Sequence, residues 1–259
     1  HFEENGSKQK FLVRTDEKFR FPRTPWKGAG VAIPVFSLRR EDGMGIGEFT
    51  DIKLLVDWAQ RTGLKLVQIL PVNDTIATQT WKDSYPYAAI SVFALHPIYA
   101  NLLKMGRLSS GLTEKIIKDR GSLLNKKESV DYEGVMKLKS RYFKMIYDEQ
   151  KTSLTEDKNY QEFFENNQSW LVPYAAYSYL RDLYNTPNFH RWGEYSEPGR
   201  QIINKLTSPD SPHYDDIAVH YFIQYHLHKQ LQEAANYARQ NGVVLKGDIP
   251  IGIYRYSVD

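Results

Sequence analysis

A short segment, Trp81-Lys-Asp-Ser-Tyr-Pro-Tyr87, concentrates three aromatic rings, a carboxylate and a hydroxyl. Aromatic rings with polar tips can cover the apolar C–H face of a sugar, while short polar groups hydrogen-bond its hydroxyls. The mixture is therefore typical of a sugar-binding site, in which Trp81, Asp83, Ser84 and Tyr87 would contact the ligand. A proline-containing turn anchored by buried rings explains the same residues equally well.

A second candidate is Asp248, in the segment Lys246-Gly-Asp-Ile-Pro250 near the end of an apolar run. A carboxylate placed there is costly unless it is paired or functional, which favours a site. The alternative is that Asp248 accepts backbone hydrogen bonds in a turn. Spacing alone does not separate these interpretations.

Three glycines in Gly43-Met-Gly-Ile-Gly47 lie between a predicted strand and a predicted helix, where a dinucleotide-binding loop would occur. The third glycine of that fingerprint would fall at Glu48. The next strand ends in Leu70-Pro71, without the acidic residue that binds a ribose. The pattern therefore favours a tight loop over nucleotide binding.

Neither a metal site nor a thiol-based site is predicted. His220, His226 and His228 lie on one predicted helix, where positions two apart face nearly opposite ways. Neither 220/226 nor 226/228 has the i, i+4 spacing of paired ligands, so we expect structural roles for them. Cysteine is absent, which excludes disulfides, zinc–thiolate sites and a thiol nucleophile.

Three apolar runs predict the strands that must position these loops: Val31–Phe36, Leu64–Leu70 and Val243–Ile251. A predicted helix over about residues 50–63 joins the first two and makes them a right-handed parallel unit. Functional loops of α/β proteins lie at the carboxyl ends of such strands. The glycine loop 43–47, the aromatic segment 81–87 and the segment 246–250 each follow or end one of the three predicted strands. The pattern suits either a doubly wound sheet or the first part of a (β/α)₈ barrel.

Between the second and third strands, residues 72–214 are predicted to form a mainly helical insertion. Helical patterns occupy Tyr132–Lys151 and Trp170–Tyr184 within it. A long helix over Asp215–Gln240, acidic at its start, then leads into the third strand.

Composition bounds the class of protein. The 259 residues carry 34 Lys+Arg against 31 Asp+Glu, a balance too even to indicate nucleic acid or a membrane surface as a partner. The longest apolar runs are far below the roughly 20 residues of a membrane-spanning helix. The lack of cysteine suits the cytosol, so a cytoplasmic location is expected.

Residues 1–26 are polar with scattered proline and predict a lead-in, which leaves 27–259 as the main domain.

Seven blocks, in order over most of the chain, carry a family resemblance. They are Gly30-Val-Ala-Ile-Pro-Val-Phe36, Gly45-Ile-Gly-Glu-Phe49, Leu66-Val-Gln-Ile-Leu-Pro-Val-Asn-Asp-Thr75, Asp83-Ser-Tyr-Pro-Tyr87, Ser91-Val-Phe-Ala-Leu-His-Pro97, Trp170-Leu-Val-Pro-Tyr-Ala175 and Lys246-Gly-Asp-Ile-Pro-Ile-Gly252. Together they resemble the amylomaltase (disproportionating enzyme) family of 4-alpha-glucanotransferases, in particular the branch that includes the plant cytosolic disproportionating enzyme.

The resemblance implies a (β/α)₈ barrel, of which this chain would hold the first three strands and the helical insertion 72–214. It implies retaining transfer of α-1,4-linked glucosyl units by a nucleophilic carboxylate and an acid/base carboxylate about 5 Å apart. In the family, the nucleophile lies in an Arg-x-Asp-His-like block and the acid/base glutamate comes later. Neither occurs before Asp259. We therefore expect an incomplete catalytic domain that is inactive by itself, and an enzyme that needs no cofactor.

Two positions of the family's glucan site match residues of this chain. Tyr87 matches the tyrosine that stacks beneath the sugar at the cleavage point, and Asp248 matches the aspartate of the Gly-Asp-x-Pro block at the rim of that subsite. Ser84 matches the serine of the usual Ser-Pro-Tyr-Gln motif, although Tyr85 is inserted and Ala88 stands where glutamine is usual. That departure changes the hydrogen bonding expected there.

The resemblance also implies partners, with maltose or maltooligosaccharides as donors and glycogen or a soluble heteroglycan as acceptor. Three barrel strands cannot close, so the open sheet edge is expected to favour self-association. Two rival hypotheses remain at this stage. One is a non-catalytic glucan-binding module that uses Trp81, Tyr85 and Tyr87, and the other is a nucleotide-binding α/β domain that uses the glycine loop.

Overall fold

The computed structural model describes residues 2–4, 7–9, 26–196 and 200–259. Most of the predicted lead-in, residues 1–26, therefore lies outside the described residues. Strands β1 (Phe2–Glu4) and β2 (Ser7–Gln9) form an antiparallel pair.

Five more strands and six helices follow in the described ranges. The strands are β3 (Gly30–Ile33), β4 (Leu66–Ile69), β5 (Ala88–Ala89), β6 (Val244–Lys246) and β7 (Gly252–Ile253). The helices are α1 (Asp51–Arg61), α2 (Leu112–Asn125), α3 (Tyr132–Leu154), α4 (Lys158–Tyr184), α5 (Arg200–Leu206) and α6 (Tyr214–Gln240). Short 3-10 turns include Val35–Ser37, Trp81–Ser84, Pro97–Tyr99 and Leu102–Lys104.

Strands β3, β4 and β6 form a parallel sheet in that spatial order. Val31 pairs with Val67, and Val67 pairs with Leu245, so β4 is the central strand. Val67 and Ile69 point from β4 into the core, where both are buried. The prediction of three parallel strands in sequence order is confirmed.

Prolines shorten the first two predicted strands. β3 stops at Ile33 because Pro34 has no N–H for the ladder, and Val35–Ser37 turns into a 3-10 helix. β4 likewise stops at Ile69, just before Leu70-Pro71.

The third predicted strand, Val243–Ile251, is wrong in length. β6 ends at Lys246, and after Gly247 the chain forms β7, which pairs with β5 instead of extending the sheet. β6 is not buried either, because Val244 is 48% exposed and no described strand flanks its outer side. Asp248 therefore follows an open edge strand, and the argument for its function from burial is wrong.

Helix α1 forms as its apolar spacing predicts. Ile52, Val56 and Ala59 are fully buried on one face, and Asp51 supplies the negative charge favoured at a helix start. Gly63 follows the helix with φ of 77°, the left-handed geometry that glycine adopts most easily. The predicted bounds, about 50–63, differ from the observed ones by one or two residues.

The segment between β4 and α6 contains helices α2 to α5, of which α3 and α4 cover the two predicted helical patterns. Helix α3 extends three residues beyond the predicted Tyr132–Lys151, whereas α4 begins twelve residues before the predicted start at Trp170. Its start is capped by Asp157, whose carboxylate accepts a hydrogen bond from the Asn159 N–H at 2.8 Å. The polar stretch after Asp157 shows little apolar periodicity, which is why the sequence did not predict a helix there. Tertiary packing and the Asp157 cap stabilise this part of α4.

One continuous cluster of buried apolar side chains includes residues of β4, α1, α3, α4 and α6. Helices α4 and α6 pack side by side through ring contacts such as Phe164–Tyr221, with centroids 5.1 Å apart. The division into a domain 27–259 with a subdomain 72–214 stays a prediction. Among the described residues, even the long helices α4 and α6 lack the sustained apolar stretch needed to cross a membrane.

Candidate functional site

The structure brings Tyr87 and Asp248 together although 161 residues separate them. The Tyr87 hydroxyl donates to Asp248 Oδ2 at 3.4 Å. The parallel pairing of β5 with β7 holds the two segments in place, and the Tyr254 N–H donates to the Ala89 carbonyl at 2.8 Å. A Cβ at Gly252 would lie 2.5 Å from the Tyr87 carbonyl oxygen, so only glycine allows this close approach.

The Tyr87 phenol is a neutral hydrogen-bond donor in this pair. Partial burial, and then the neighbouring Asp248 carboxylate, raise the pKa of Tyr87 above its usual value. The other carboxylate oxygen of Asp248 accepts the Ile249 N–H at 3.0 Å. Asp248 therefore accepts a backbone hydrogen bond, as the turn hypothesis predicts. It also contacts the side chain of Tyr87, as the site hypothesis predicts. The exposed Tyr85 ring lies 5.7 Å from the Tyr87 ring and extends the aromatic surface.

Asp83 lies elsewhere, buried beneath its own loop. Its carboxylate accepts hydrogen bonds from the N–H groups of Thr78 and Gln79, at 2.9 and 2.6 Å, and from the Thr78 hydroxyl. Burial outweighs these bonds and raises the pKa of Asp83. Gln79 has φ of 58°, so the carboxylate also stabilises a strained turn. These contacts favour the structural interpretation of Asp83, and its contact with a sugar stays a prediction.

Trp81 and Ser84 line a cavity of 210 Å³ near the carboxyl ends of β3 and β4, together with Asn73 and Thr75. The Trp81 ring is 64% exposed, and its backbone N–H donates to Glu133 Oε1 of α3 at 2.7 Å. The Ser84 hydroxyl donates to the Trp81 carbonyl at 2.6 Å, which closes the 3-10 turn. The cavity does not include Tyr87 or Asp248, so the predicted site residues divide among three places.

Two pairs of polar side chains near this cavity were not identified as site residues from the sequence. The Tyr132 hydroxyl and His96 Nε2 lie 3.0 Å apart, and His96 Nδ1 accepts the Ile98 N–H. Burial lowers the pKa of His96 to about 3, so the ring is neutral and its Nε2–H donates to Tyr132. His96 lies in one of the seven blocks, but its role could be found only from its partner 36 residues away.

Asp74 and Tyr174 form the second pair, with the Tyr174 hydroxyl donating to Asp74 Oδ2 at 2.7 Å. Burial raises the pKa of Asp74 to about 6, despite the positive charge of Arg181 nearby. Arg181 in turn donates to the Ile76 carbonyl. This buried group fixes the loop after β4 against α4.

The backbone N–H groups of the glycines in the glycine loop already donate hydrogen bonds to other groups of the protein. The N–H groups of Gly43, Gly45 and Gly47 donate to the Arg40 carbonyl, the Asn125 side chain and the Phe36 carbonyl, each at 3.1 Å. A Cβ at Gly47 would lie 1.9 Å from the Val35 carbonyl oxygen. The loop is buried and has no glycine N–H left for a phosphate, which argues against nucleotide binding.

The three histidines of α6 lie among aromatic rings. Burial lowers the pKa values of His220 and His226 to about 4 and lowers that of His228. His228 Nδ1 donates to the Gln224 carbonyl at 2.8 Å. The described residues contain no group of three or more His, Asp or Glu side chains arranged to hold a metal ion.

Residues 33–259 match the Glyco_hydro_77 family, described as 4-alpha-glucanotransferase. The chain belongs to the 4-alpha-glucanotransferase family. It is 43% identical over 250 residues to the 4-alpha-glucanotransferase DPE2 of Oryza sativa subsp. japonica, and 30% identical over 234 residues to the 4-alpha-glucanotransferase of Chlamydia pneumoniae. These alignments cover 96% and 89% of the chain, but only 26% and 42% of the relatives. The chain thus spans less than half the length of either 4-alpha-glucanotransferase.

Solved structures agree with this family at the level of fold. The amylomaltase of Streptococcus agalactiae in complex with acarbose superposes with a TM-score of 0.69 at 20% identity, over 90% of this chain and 45% of that chain. The amylomaltase of Corynebacterium glutamicum gives a TM-score of 0.65 at 18% identity, over 87% of this chain and 30% of that chain. The α/β fold of this chain is therefore shared with amylomaltases.

Proposed function

We propose that this chain is part of an enzyme that transfers α-1,4-linked glucosyl units from maltose or maltooligosaccharides to glucan acceptors such as glycogen or starch. The observation that carries the proposal is the contact between Tyr87 and Asp248. Family membership supports the reaction class, and the acarbose complex of an amylomaltase supports a glucan-like ligand.

In the proposed reaction, the residues of this chain bind and orient the sugar. The Tyr87 ring stacks beneath the glucosyl unit, and Asp248 hydrogen-bonds hydroxyls at the rim of the same subsite. Binding holds the anomeric carbon in a productive pose. The activation barrier of the transfer step is then lower, because the entropy cost of orienting the sugar has already been met on binding. The reaction itself needs a nucleophilic carboxylate and a proton donor about 5 Å apart.

We place those two carboxylates beyond Asp259. The buried Asp83 and Asp74 are each committed to hydrogen bonds within the fold, so neither is free to attack an anomeric carbon. Among the described residues, Asp248 is the carboxylate that contacts Tyr87. A single carboxylate can bind a sugar but cannot supply both catalytic roles.

The finer architecture belongs to the same proposal. Strands β3, β4 and β6 would be the first three strands of a (β/α)₈ barrel, with residues 72–214 inserted after the second. The open edge at β6, next to the exposed Ile249 and Ile251, supports self-association of the isolated chain. The absence of cysteine supports a cytoplasmic location.

The test compares this polypeptide, at verified mass, with the full-length enzyme. Both are incubated with maltose and glycogen while glucose release is followed. We expect turnover only from the full-length enzyme. Comparable turnover by residues 1–259 would contradict the placement of the catalytic carboxylates, and binding of NAD without binding of maltooligosaccharides would contradict the function.

A further inference from the structure

A groove of 630 Å³ lies between the first half of α4 and the middle of α6, lined by none of the residues assigned to the candidate site. Uncharged amides and one carboxylate form most of its rim. These rim residues are Asn159, Glu162, Asn166, Asn167 and Gln232. The half-buried Phe163 forms its apolar floor, between Tyr225 and His228.

Aromatic rings continue from this groove across the surface. The Phe163 centroid lies 5.6 Å from that of Tyr225 and 5.2 Å from that of His228. His228 lies 5.7 Å from Trp170, which stacks on Phe93 at 5.9 Å with an angle of 18° between the rings. Phe93 is 52% exposed and follows β5, the short strand that Tyr87 immediately precedes. The row of rings therefore leads from the groove towards the candidate site.

Several polar groups of the groove have no partner within the described part of the chain. The exposed side chains of Glu162, Asn166 and Gln232 make no hydrogen bond there. His228 uses Nδ1–H for the Gln224 carbonyl, which leaves Nε2 as an acceptor. These free donors and acceptors surround an apolar ring floor.

The chemistry of the groove matches a chain of sugars. Among the described residues, Glu162 and Lys229 are the charged side chains that line it, and their opposite charges leave no net charge to attract phosphate or nucleic acid. Each glucosyl unit presents an apolar C–H face beside hydroxyls that both donate and accept, which rings and amides satisfy together. We propose that this groove binds a segment of polymeric α-1,4-glucan and holds the acceptor near the candidate site.

The inference rests on the proposed function, because only a glucan-using enzyme would need such a groove. The test measures retention of the full-length enzyme in gels that contain glycogen, and its kinetics with glycogen as acceptor. In the triple variant Glu162→Ala, Asn166→Ala, Gln232→Ala, loss of three hydrogen bonds is expected to weaken retention roughly tenfold. KM for glycogen should rise while kcat stays unchanged.

Two further variants make the result specific. Phe163→Leu keeps apolar volume but removes the ring, and should also weaken retention. The matched control is Glu165→Ala with Gln168→Ala, two exposed positions on the same helix outside the groove, which should bind glycogen like the parent.

The outcomes separate the two proposals. Unchanged glycogen retention in both the triple variant and Phe163→Leu would overturn the groove assignment and leave the transfer reaction intact. A parent enzyme that neither binds glycogen nor transfers glucose would overturn both. Loss of retention in the groove variants, with retention kept in Tyr87→Ala, supports the groove as a separate binding surface.

Discussion

Tyr87 combines an aromatic face with a hydroxyl bonded to Asp248, and substitution can remove these features one at a time. In the full-length enzyme, Tyr87→Ala should lower the transfer rate roughly a hundredfold, because the sugar loses the surface that orients it. Tyr87→Phe keeps the ring and should lose only roughly two- to tenfold, the value of one hydrogen bond. Initial rates of glucose release from maltose measure both. Equal rates for the alanine variant and the parent would contradict the assignment.

Asp248 has a bond to its own turn as well as to Tyr87, so its test must separate function from folding. Asp248→Asn keeps the size of the side chain and one acceptor oxygen. We expect a lower transfer rate with an unchanged thermal unfolding midpoint, since the group is only half-buried at an open edge. If the midpoint falls and the transfer rate per folded molecule does not, Asp248 is a turn residue.

At the scale of elements, one buried lysine ties three parts of the fold together. Lys139 of α3 is fully buried and donates to Glu48 Oε1 at 2.7 Å and to the carbonyls of Ile98 and Ala100. Glu48 also accepts the Asn101 side-chain amide at 2.6 Å. The glycine loop, helix α3 and the 3-10 turns after β5 are thereby held in one arrangement.

Lys139→Met should therefore destabilise the protein by about 3–5 kcal/mol, because it removes the nearer of the two cations that pair with the buried Glu48 and leaves only Arg40, at 3.6 Å. The exposed Lys137 lies on the same helix and gives a matched control, Lys137→Met, whose effect should stay within about 0.5 kcal/mol. Urea unfolding of the two variants measures the difference. A loss no larger for Lys139→Met than for the control would contradict the structural role of this ion pair.

At the scale of the whole molecule, buried histidines make stability depend on pH. The folded-state pKa values are lowered to about 3 for His96 and about 4 for His220 and His226, and that of His228 is also lowered. Their ordinary value is about 6.5, so below that pH the unfolded chain binds more protons than the folded one. Their stabilising effect is complete above pH 6.5 and is lost as the pH falls. Asp74, whose pKa burial raises to about 6, acts in the opposite direction, as do Asp83 and Asp51, whose pKa values burial also raises. The four histidines outnumber these three carboxylates.

We therefore expect the urea midpoint to fall between about pH 7 and about pH 5. Replacing His220 with Gln, which does not titrate, should reduce that pH dependence. His190→Gln, at an exposed position, should leave the dependence close to that of the parent. A midpoint that is flat or rises on acidification would contradict the account.

Much of the fold is determined locally, and the sequence by itself was sufficient to predict it. Apolar runs predicted the three parallel strands, the spacing of Ile52 and Val56 predicted the buried face of α1, and the ordered blocks indicated the family. The glycine loop could also be separated from a nucleotide site by spacing, since Glu48 stands where a glycine is needed.

Tertiary structure alone decided which polar residues are structural and which are free. Lys137 and Lys139 look alike in the sequence, but two positions apart on a helix they face different ways, and only Lys139 meets its partner Glu48. Asp83 and Asp248 were equal candidates, yet Asp83 is buried in its loop while Asp248 faces Tyr87 across 161 residues. The physical reason is the same in each case. The free energy of a polar group depends on partners far away in the chain, and only the folded structure brings those partners together.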